Sequence, residues 1–580
     1  MNKQTLTFIF SLALIFSAVS QNTSNDRAFN SFPKEKIFVH YNTNFLLPGE
    51  NQYYKVYCLN SNTNILSNLS KIAYVELVGT NNESVFKEKI ILKNGVGDGY
   101  FFIPPTIKSG SYKLIAYTQW MRNIKKELFF QGDVSVVNPY LISEEIISKE
   151  QDSILSKKNI PYTANIKSCN NFIELKVNQN SFAKREKVLL KINHLINDFK
   201  NGNYSISVRK IDKIKTAQKP SATNYDSLNP TNNSVLQSNS KNIYLPELRG
   251  ELLSGKVINK KTEKTIINKK VALSIPGKDF IFKVSNTNND GIFYFNLDKE
   301  YEGQDAIFQV IGKEREEYQV EIDNQSPLDF PDLKFYDFKI TKSSKELILQ
   351  HSVYNQIENS YATAKSDSIK KIEFTSPFYD SKSIEYFLND YNRFPTLEET
   401  IVEIIPEIFI RTRKGDSTLH VRVYDEEIET GLSSLVLVDG TMIQDHNKLV
   451  EYNAKRVNKI EVVNELYLYG SQVFEGVISI ETLEGNFKNN ISGGFIKNVK
   501  LFKPLSKKIY YKQNYDGEDK SRRIPDYRIQ LLWESNVVLN EKENKISFFT
   551  SDVSGDFEIC LEGFTNKGQP VSLRETIIVE

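Results

Sequence analysis

Short runs rich in Val, Ile, Tyr and Phe, each closed by a Gly, Pro, Asn or Asp turn signal, recur from residue 35 to residue 580. This pattern calls for many short strands rather than long helices. Lys36-Ile37-Phe38-Val39-His40-Tyr41 opens the series, and Pro48-Gly49-Glu50 is a turn before a strand at 53–59. Lys71 to Val78 alternates, with Ile72, Tyr74 and Glu76 on one face and Ala73, Val75 and Leu77 on the other. Further strands are expected at 172–177, 187–192 and 204–208, in five runs between 248 and 312, and in four between 526 and 580. With 580 residues the chain is too long for one hydrophobic core, so roughly four or five domains are expected. Aromatic residues make up 12%, which suits pleated, half-buried surfaces. The fold class is therefore mainly β. Two segments depart from it. Residues 213–245 are rich in Ser, Asn, Thr and Lys and read as a flexible linker. Residues 344–361 read as helix, with Leu347, His351, Tyr354 and Tyr361 at helical spacing.

The first 20 residues have the pattern of a secretory signal peptide. Lys3 is a short positive region, Leu6 to Val19 is mainly apolar, and Ala18-Val19-Ser20 is a small-residue cleavage site leaving Gln21 first. No Cys follows the apolar run, so a lipid anchor is not expected. No later stretch approaches the roughly 20 apolar residues of a transmembrane helix. Export allows disulfides, yet Cys58, Cys169 and Cys560 are far apart and are expected to be free and buried. Lys plus Arg is 74 against 72 for Asp plus Glu, a balance that gives nucleic acid nothing to bind.

Motifs for chemistry come close and then fail. Gly250-Glu251-Leu252-Leu253-Ser254-Gly255-Lys256-Val257 approaches the phosphate-binding loop, but Val stands where a hydroxyl must reach Mg²⁺, and Lys256 enters a strand. Asn286 to Gly291 hints at a Ca²⁺ loop, but Leu297 occupies the position of the bidentate Glu. His40, His194, His351, His420 and His446 form no local metal motif. No nucleophile elbow is present. No catalytic residue, metal or cofactor is therefore expected. The candidate binding residues are Trp120 and Arg122, just after a strand, and Tyr510 and Tyr511, before a polar loop. Aromatic and Arg side chains dominate binding hot spots; core packing is the alternative for each.

Several segments resemble known families. Lys36 to His40 with Pro48-Gly49-Glu50, and later Gly110 to Tyr117, resemble the macroglobulin-type sandwiches of the α2-macroglobulin family. That resemblance implies a sandwich at 28–140 and a second at 155–212. The thioester C-x-E-Q of its protease-trapping members is missing, since none of the cysteine contexts carries the Gln. Gly255-Lys256-Val257 and Asn289-Asp290-Gly291-Ile292-Phe293 resemble a carboxypeptidase regulatory-like domain at 246–325. Leu435 to Gly440, Val457 to Val462, Tyr469-Gly470-Ser471 and Gly476 to Ile480 resemble the plug domain of TonB-dependent transporters, at 386–487. A helical connector at 326–385 and a C-terminal sandwich at 488–580 complete the expected order. Such transporters need a barrel of about 22 strands, and residues 486–580 are too few for it, so this chain is expected not to be the pore. The expected fold is tandem Ig/macroglobulin-like β-sandwiches with an α+β plug-like domain.

These readings converge on an exported, non-catalytic binding and assembly protein of a gram-negative envelope, periplasmic or outer-membrane-associated, docking to an outer-membrane or periplasmic protein. The alternative is an accessory of TonB-dependent nutrient uptake that binds a glycan or peptide. A hydrolase assembled from distant residues is the weaker third reading.

Overall fold

The computed structural model describes residues 33–141, 172–228, 243–323, 328–330, 332–341, 344–371, 376–379, 383–423, 432–470, 472–516 and 523–580. The leader and Cys169 lie outside them. Two compact units form, each from separate stretches: Met1–Leu248, Leu328–Lys370 and Pro504–Glu580 in the first, Arg249–Pro327 and Lys371–Lys503 in the second.

The first unit opens with a sandwich. Strand Asn51–Asn60 lies between Glu35–Tyr41 and Val96–Phe102, antiparallel, with Ile37 opposite Cys58. The facing sheet runs in the order Phe45–Leu46, Phe130–Val136, Gly110–Tyr117, Ile72–Gly79, Ser84–Ile91. Ile72–Gly79 alternates as expected, yet both its faces are buried. The reason lies in its polar members. Tyr74 stacks on Tyr117 at 5.5 Å and donates to Glu247, while Glu76 accepts from the Tyr117 hydroxyl and pairs with Lys87 at 3.0 Å.

A second sandwich draws on both ends of the sequence. One sheet runs Ser181–Phe182, Pro570–Val579, Gly555–Phe564, Asn203–Lys210, Gln530–Val537; the other runs Glu543–Phe549, Lys187–His194, Ile173–Val177. The segments expected as two sandwiches, 155–212 and 488–580, therefore meet in one. Asn203–Lys210 is buried along nearly its whole length and takes a partner on each edge, Gly555–Phe564 and Gln530–Val537. Half a sandwich has no second sheet to cover it, and only the distant C-terminal strands supply one. Part of the expected linker is also ordered. Helix Ala222–Leu228 buries Ala222 and Tyr225, whose ring meets Phe38 and Phe130 at 5.6 Å. One aromatic anchor outweighs a polar composition here.

Helix Ser344–Ser360 forms where periodicity placed it, but it buries Ile348, His351 and Ser352. Leu347 and Tyr361 are exposed, and Tyr354 stacks on Tyr527 at 5.0 Å.

In the second unit a three-stranded sheet (Ile292–Leu297, Glu251–Asn259, Tyr318–Ile322) and a four-stranded sheet (Ile281–Asn286, Lys270–Ile275, Asp305–Val310, Ile496–Lys500) enclose a core of Val257, Leu273, Phe293, Phe295 and Phe308. Ile496–Lys500 comes from outside the stretch expected for this sandwich. A further, five-stranded sheet is mixed, in the order Ile384–Phe387, Val457–Tyr469, Gln472–Thr482, Leu435–Val438, Thr441–Met442, with Leu435–Val438 parallel to Gln472–Thr482. Asp439 and Gly440 have φ of 50° and 77°, the two positive values of a two-residue type I′ hairpin. The Asp439 carboxylate accepts from the Thr482 amide and hydroxyl, both at 2.8 Å. Helix Leu397–Ile404 is capped by Thr396, whose hydroxyl accepts from the Glu399 amide. Among the described residues no helix is long and apolar enough to cross a membrane.

Candidate functional site

In the first unit the Pro48-Gly49-Glu50 turn, the C-terminal end of helix Ser344–Ser360 and the stretch 527–533 enclose a cavity of about 280 Å³. Local sequence fixes each wall. Gly49 has φ of 88°, and a Cβ there would sit 2.6 Å from Asn359 Nδ2. Only glycine suits that backbone and that approach. Asn355 donates to the Pro48 carbonyl at 2.6 Å and Asn359 to the Gly49 carbonyl at 3.1 Å, so two amides clip the helix to the turn.

Glu50 is the buried anchor. Its carboxylate accepts from Arg209 at 2.9 Å, from His351 Nε2 at 3.1 Å and from the Leu47 amide at 2.7 Å. Asp212 lies 3.6 Å from His351 Nδ1. Burial alone would raise the Glu50 pKa; the charges and hydrogen bonds of His351 and Arg209 overcome it and hold it at about 2. Burial alone would lower His351, but Glu50, then Asp212, raise it above the usual imidazole value. The other charges of the lining are paired too. Lys365 holds Glu358 at 2.8 Å, Arg528 grips Asp526 with two bonds of 2.6 and 2.7 Å, and Asp367 pairs with Lys508 at 3.0 Å.

Aromatic rings supply the apolar surface. Tyr53 stacks on Trp533 with centroids 6.1 Å apart, and Tyr510 meets Tyr53 edge-on at 5.1 Å. Trp533 Nε1 and Arg209 Nε are buried donors with no hydrogen-bond partner among the described residues. An unmet buried donor costs about 1–3 kcal/mol, so two in one lining stand out.

Of the residues expected to bind, Tyr510 and Tyr511 line this cavity. Trp120 and Arg122 do not. Trp120 is buried and donates to the Pro33 carbonyl at 2.9 Å. Arg122 lies over the Tyr244 ring at 3.9 Å and donates to its hydroxyl. Both fasten neighbouring chain, the packing role rather than the binding one. Sequence reasoning missed Tyr53, Asn355, Asn359 and Trp533, since Tyr53 and Trp533 read as strand residues and the two Asn as a helix surface.

His40 Nδ1 lies 2.7 Å from Ser205 Oγ, the spacing of a nucleophile and its base. Ser205 is fully buried, however, and Tyr57 also bonds its hydroxyl at 2.9 Å. Burial, then Lys219, Arg574 and Lys55, push His40 well below its ordinary pKa. This pair is a joint between strands. Cys58 and Cys560 are free and buried, and burial pushes the Cys560 thiol up to about 12. Among the described residues no three His, Cys, Asp or Glu stand close enough to hold a metal.

Fold and site together define a protein of tandem, mainly β sandwich domains with a polar, aromatic-walled cavity. No family model matches the sequence, and no curated protein matches it. Among solved structures, the chain is similar over 94% of its length to Escherichia coli α2-macroglobulin activated by porcine elastase, at 8% identity and a TM-score of 0.22. It is similar over 94% to Salmonella α2-macroglobulin reacted with methylamine, at 10% identity and a TM-score of 0.23. It is also similar over 31% to the Escherichia coli adhesin FdeC, at 12% identity and a TM-score of 0.13, covering 48% of that chain. The chain spans 44% and 39% of the two macroglobulin chains.

Proposed function

We propose that this chain is a non-catalytic binding and assembly protein of the gram-negative envelope, exported by the leader at 1–20 and docked to an outer-membrane barrel protein. Its modules are macroglobulin-like sandwiches, a carboxypeptidase regulatory-like sandwich and a plug-like part. One hairpin carries the docking reading. Val457–Tyr469 pairs with Ile384–Phe387 only over Lys459–Val462, and Gln472–Thr482 pairs with Leu435–Val438 only over Val477–Ile480. The two long strands run on together to Tyr469 and Gln472. On that extension Leu466, Leu468 and Val473 are 40%, 70% and 36% exposed. Tyr467 and Tyr469 turn the other way and pack on Phe378. An apolar strip on an extended ribbon fits a strand or sheet face of a partner.

Affinity purification from crosslinked cells tests this. Wild type is expected to recover an outer-membrane barrel protein, and Leu468→Lys to lose it with unchanged thermal stability. Equal recovery by both, or none by wild type, refutes the reading.

The cavity of the first unit favours a second reading, a ligand-binding accessory of nutrient uptake. It predicts saturable small-molecule binding by the purified chain.

A further inference from the structure

Resting on that second reading, we infer that the cavity of the first unit binds a neutral, hydroxyl-rich ligand, a saccharide ring. Two observations converge on this chemistry. The first is charge. Glu50, Arg209, Glu358, Lys365, Asp367 and Arg528 line the cavity, and each is paired within the protein. A charged ligand would have to break one of these pairs to find a counter-charge, whereas a neutral one leaves them intact and still finds carboxylate oxygens that accept from hydroxyls.

The second is the half-buried aromatic wall of Tyr53, Tyr510 and Tyr511. The C–H face of a sugar ring is apolar while its rim is polar, and amphipathic aromatic rings match both. The volume, about 280 Å³, lies at the small end of ligand pockets, which start near 300 Å³, and so suits a short saccharide over a polymer threaded through. The wall is also built in advance. Gly49, Asn355 and Asn359 hold the helix end against the turn, so little ordering remains for binding.

The chain has two tryptophans, which makes the test direct. In the full chain carrying Trp120→Phe, Trp533 is the sole indole. Its fluorescence is titrated with glucose, galactose, mannose, xylose, maltose, cellobiose and lactose, and with pooled neutral dipeptides and inorganic phosphate. A saturable change with at least one sugar is expected. Calorimetry with that sugar on the full chain carrying Tyr511→Ala, which removes a half-buried ring from the wall, is expected to show at least tenfold weaker binding at unchanged melting temperature. Binding untouched by Tyr511→Ala overturns the site. Binding of dipeptides or phosphate without sugars overturns the saccharide assignment and leaves the ligand-binding reading standing; binding of none of the probes sinks both.

Discussion

Two buried charges in the first unit respond to pH in opposite ways, and each makes a prediction. His351 has a folded pKa raised above its ordinary value, after the pull of Glu50 and Asp212 outweighs burial. Its contribution is complete below the unfolded value of about 6.5 and is lost as pH rises through the folded value. Glu50, held at about 2, contributes above its ordinary value and loses that as pH falls towards 2. The joint is thus strongest between roughly pH 4.5 and 6.5. Melting curves across pH are expected to show the largest gap between wild type and His351→Gln near pH 5.5, shrinking as pH rises past the ordinary imidazole value of about 6.5. A gap that is flat with pH would exclude a charged imidazole. Lys55 runs the other way. It is 2% exposed, and burial, only partly offset by Asp98 and Glu534, lowers it to about 7. Keeping that amine folded near pH 6 costs on the order of 4 kcal/mol. Lys55→Met is expected to raise unfolding free energy by several kcal/mol at pH 6 in denaturant titrations, with the gain fading towards pH 10.5, although it forfeits the Lys55 bond to the Tyr204 carbonyl at 3.1 Å. Neither residue announces itself in the sequence. Pro48-Gly49-Glu50 is legible as a turn, but the partners of Glu50 arrive from positions 209 and 351.

At the scale of elements, legibility follows the range of the forces. Asp439-Gly440 is readable because two adjacent residues set the turn, and the structure has the hairpin there with Val438 opposite Thr441. Gly440 is also held by packing. An added Cβ would lie 2.2 Å from Phe280 Cβ, at a φ of 77°. Gly440→Ala is expected to destabilise the second unit by about 2–4 kcal/mol, from strain and overpacking together. Its signature is faster proteolysis within 249–327 and 371–503 of the full chain while the first unit stays resistant; an unchanged digestion pattern would contradict the packing argument. The helix at 344–360 shows the intermediate case. Spacing found it, but its buried stripe is set by what it packs against, so His351 and Tyr354 were well placed and Leu347 was not.

The whole molecule was the least legible scale. The count of strands and their mainly β character are written in local patterning. Which strands share a sheet is not, because Asn203–Lys210 and Gly555–Phe564 pair across more than 300 residues with no local signal. The cavity inherits that opacity, since its walls come from residues near 50, 209, 355, 510 and 530. Removing residues 528–580 is expected to do more than shorten the chain. It deletes one strand from the three-stranded sheet and three from the five-stranded sheet of the second sandwich, so 172–210 should become fully protease-sensitive. Survival of those residues as a resistant fragment would show that they fold alone.

The same pairing separates continuity of the backbone from continuity of the body. The strands at 187–210 and 530–579 are held to each other by main-chain ladders and a shared apolar core, with no need of the peptide bonds that run between them. A single cut anywhere in the chain from 211 to 527 would therefore leave a molecule in two pieces that still purifies as one. A protease could nick this protein without disassembling it, and gel mobility under denaturing conditions would report damage that the native particle does not register.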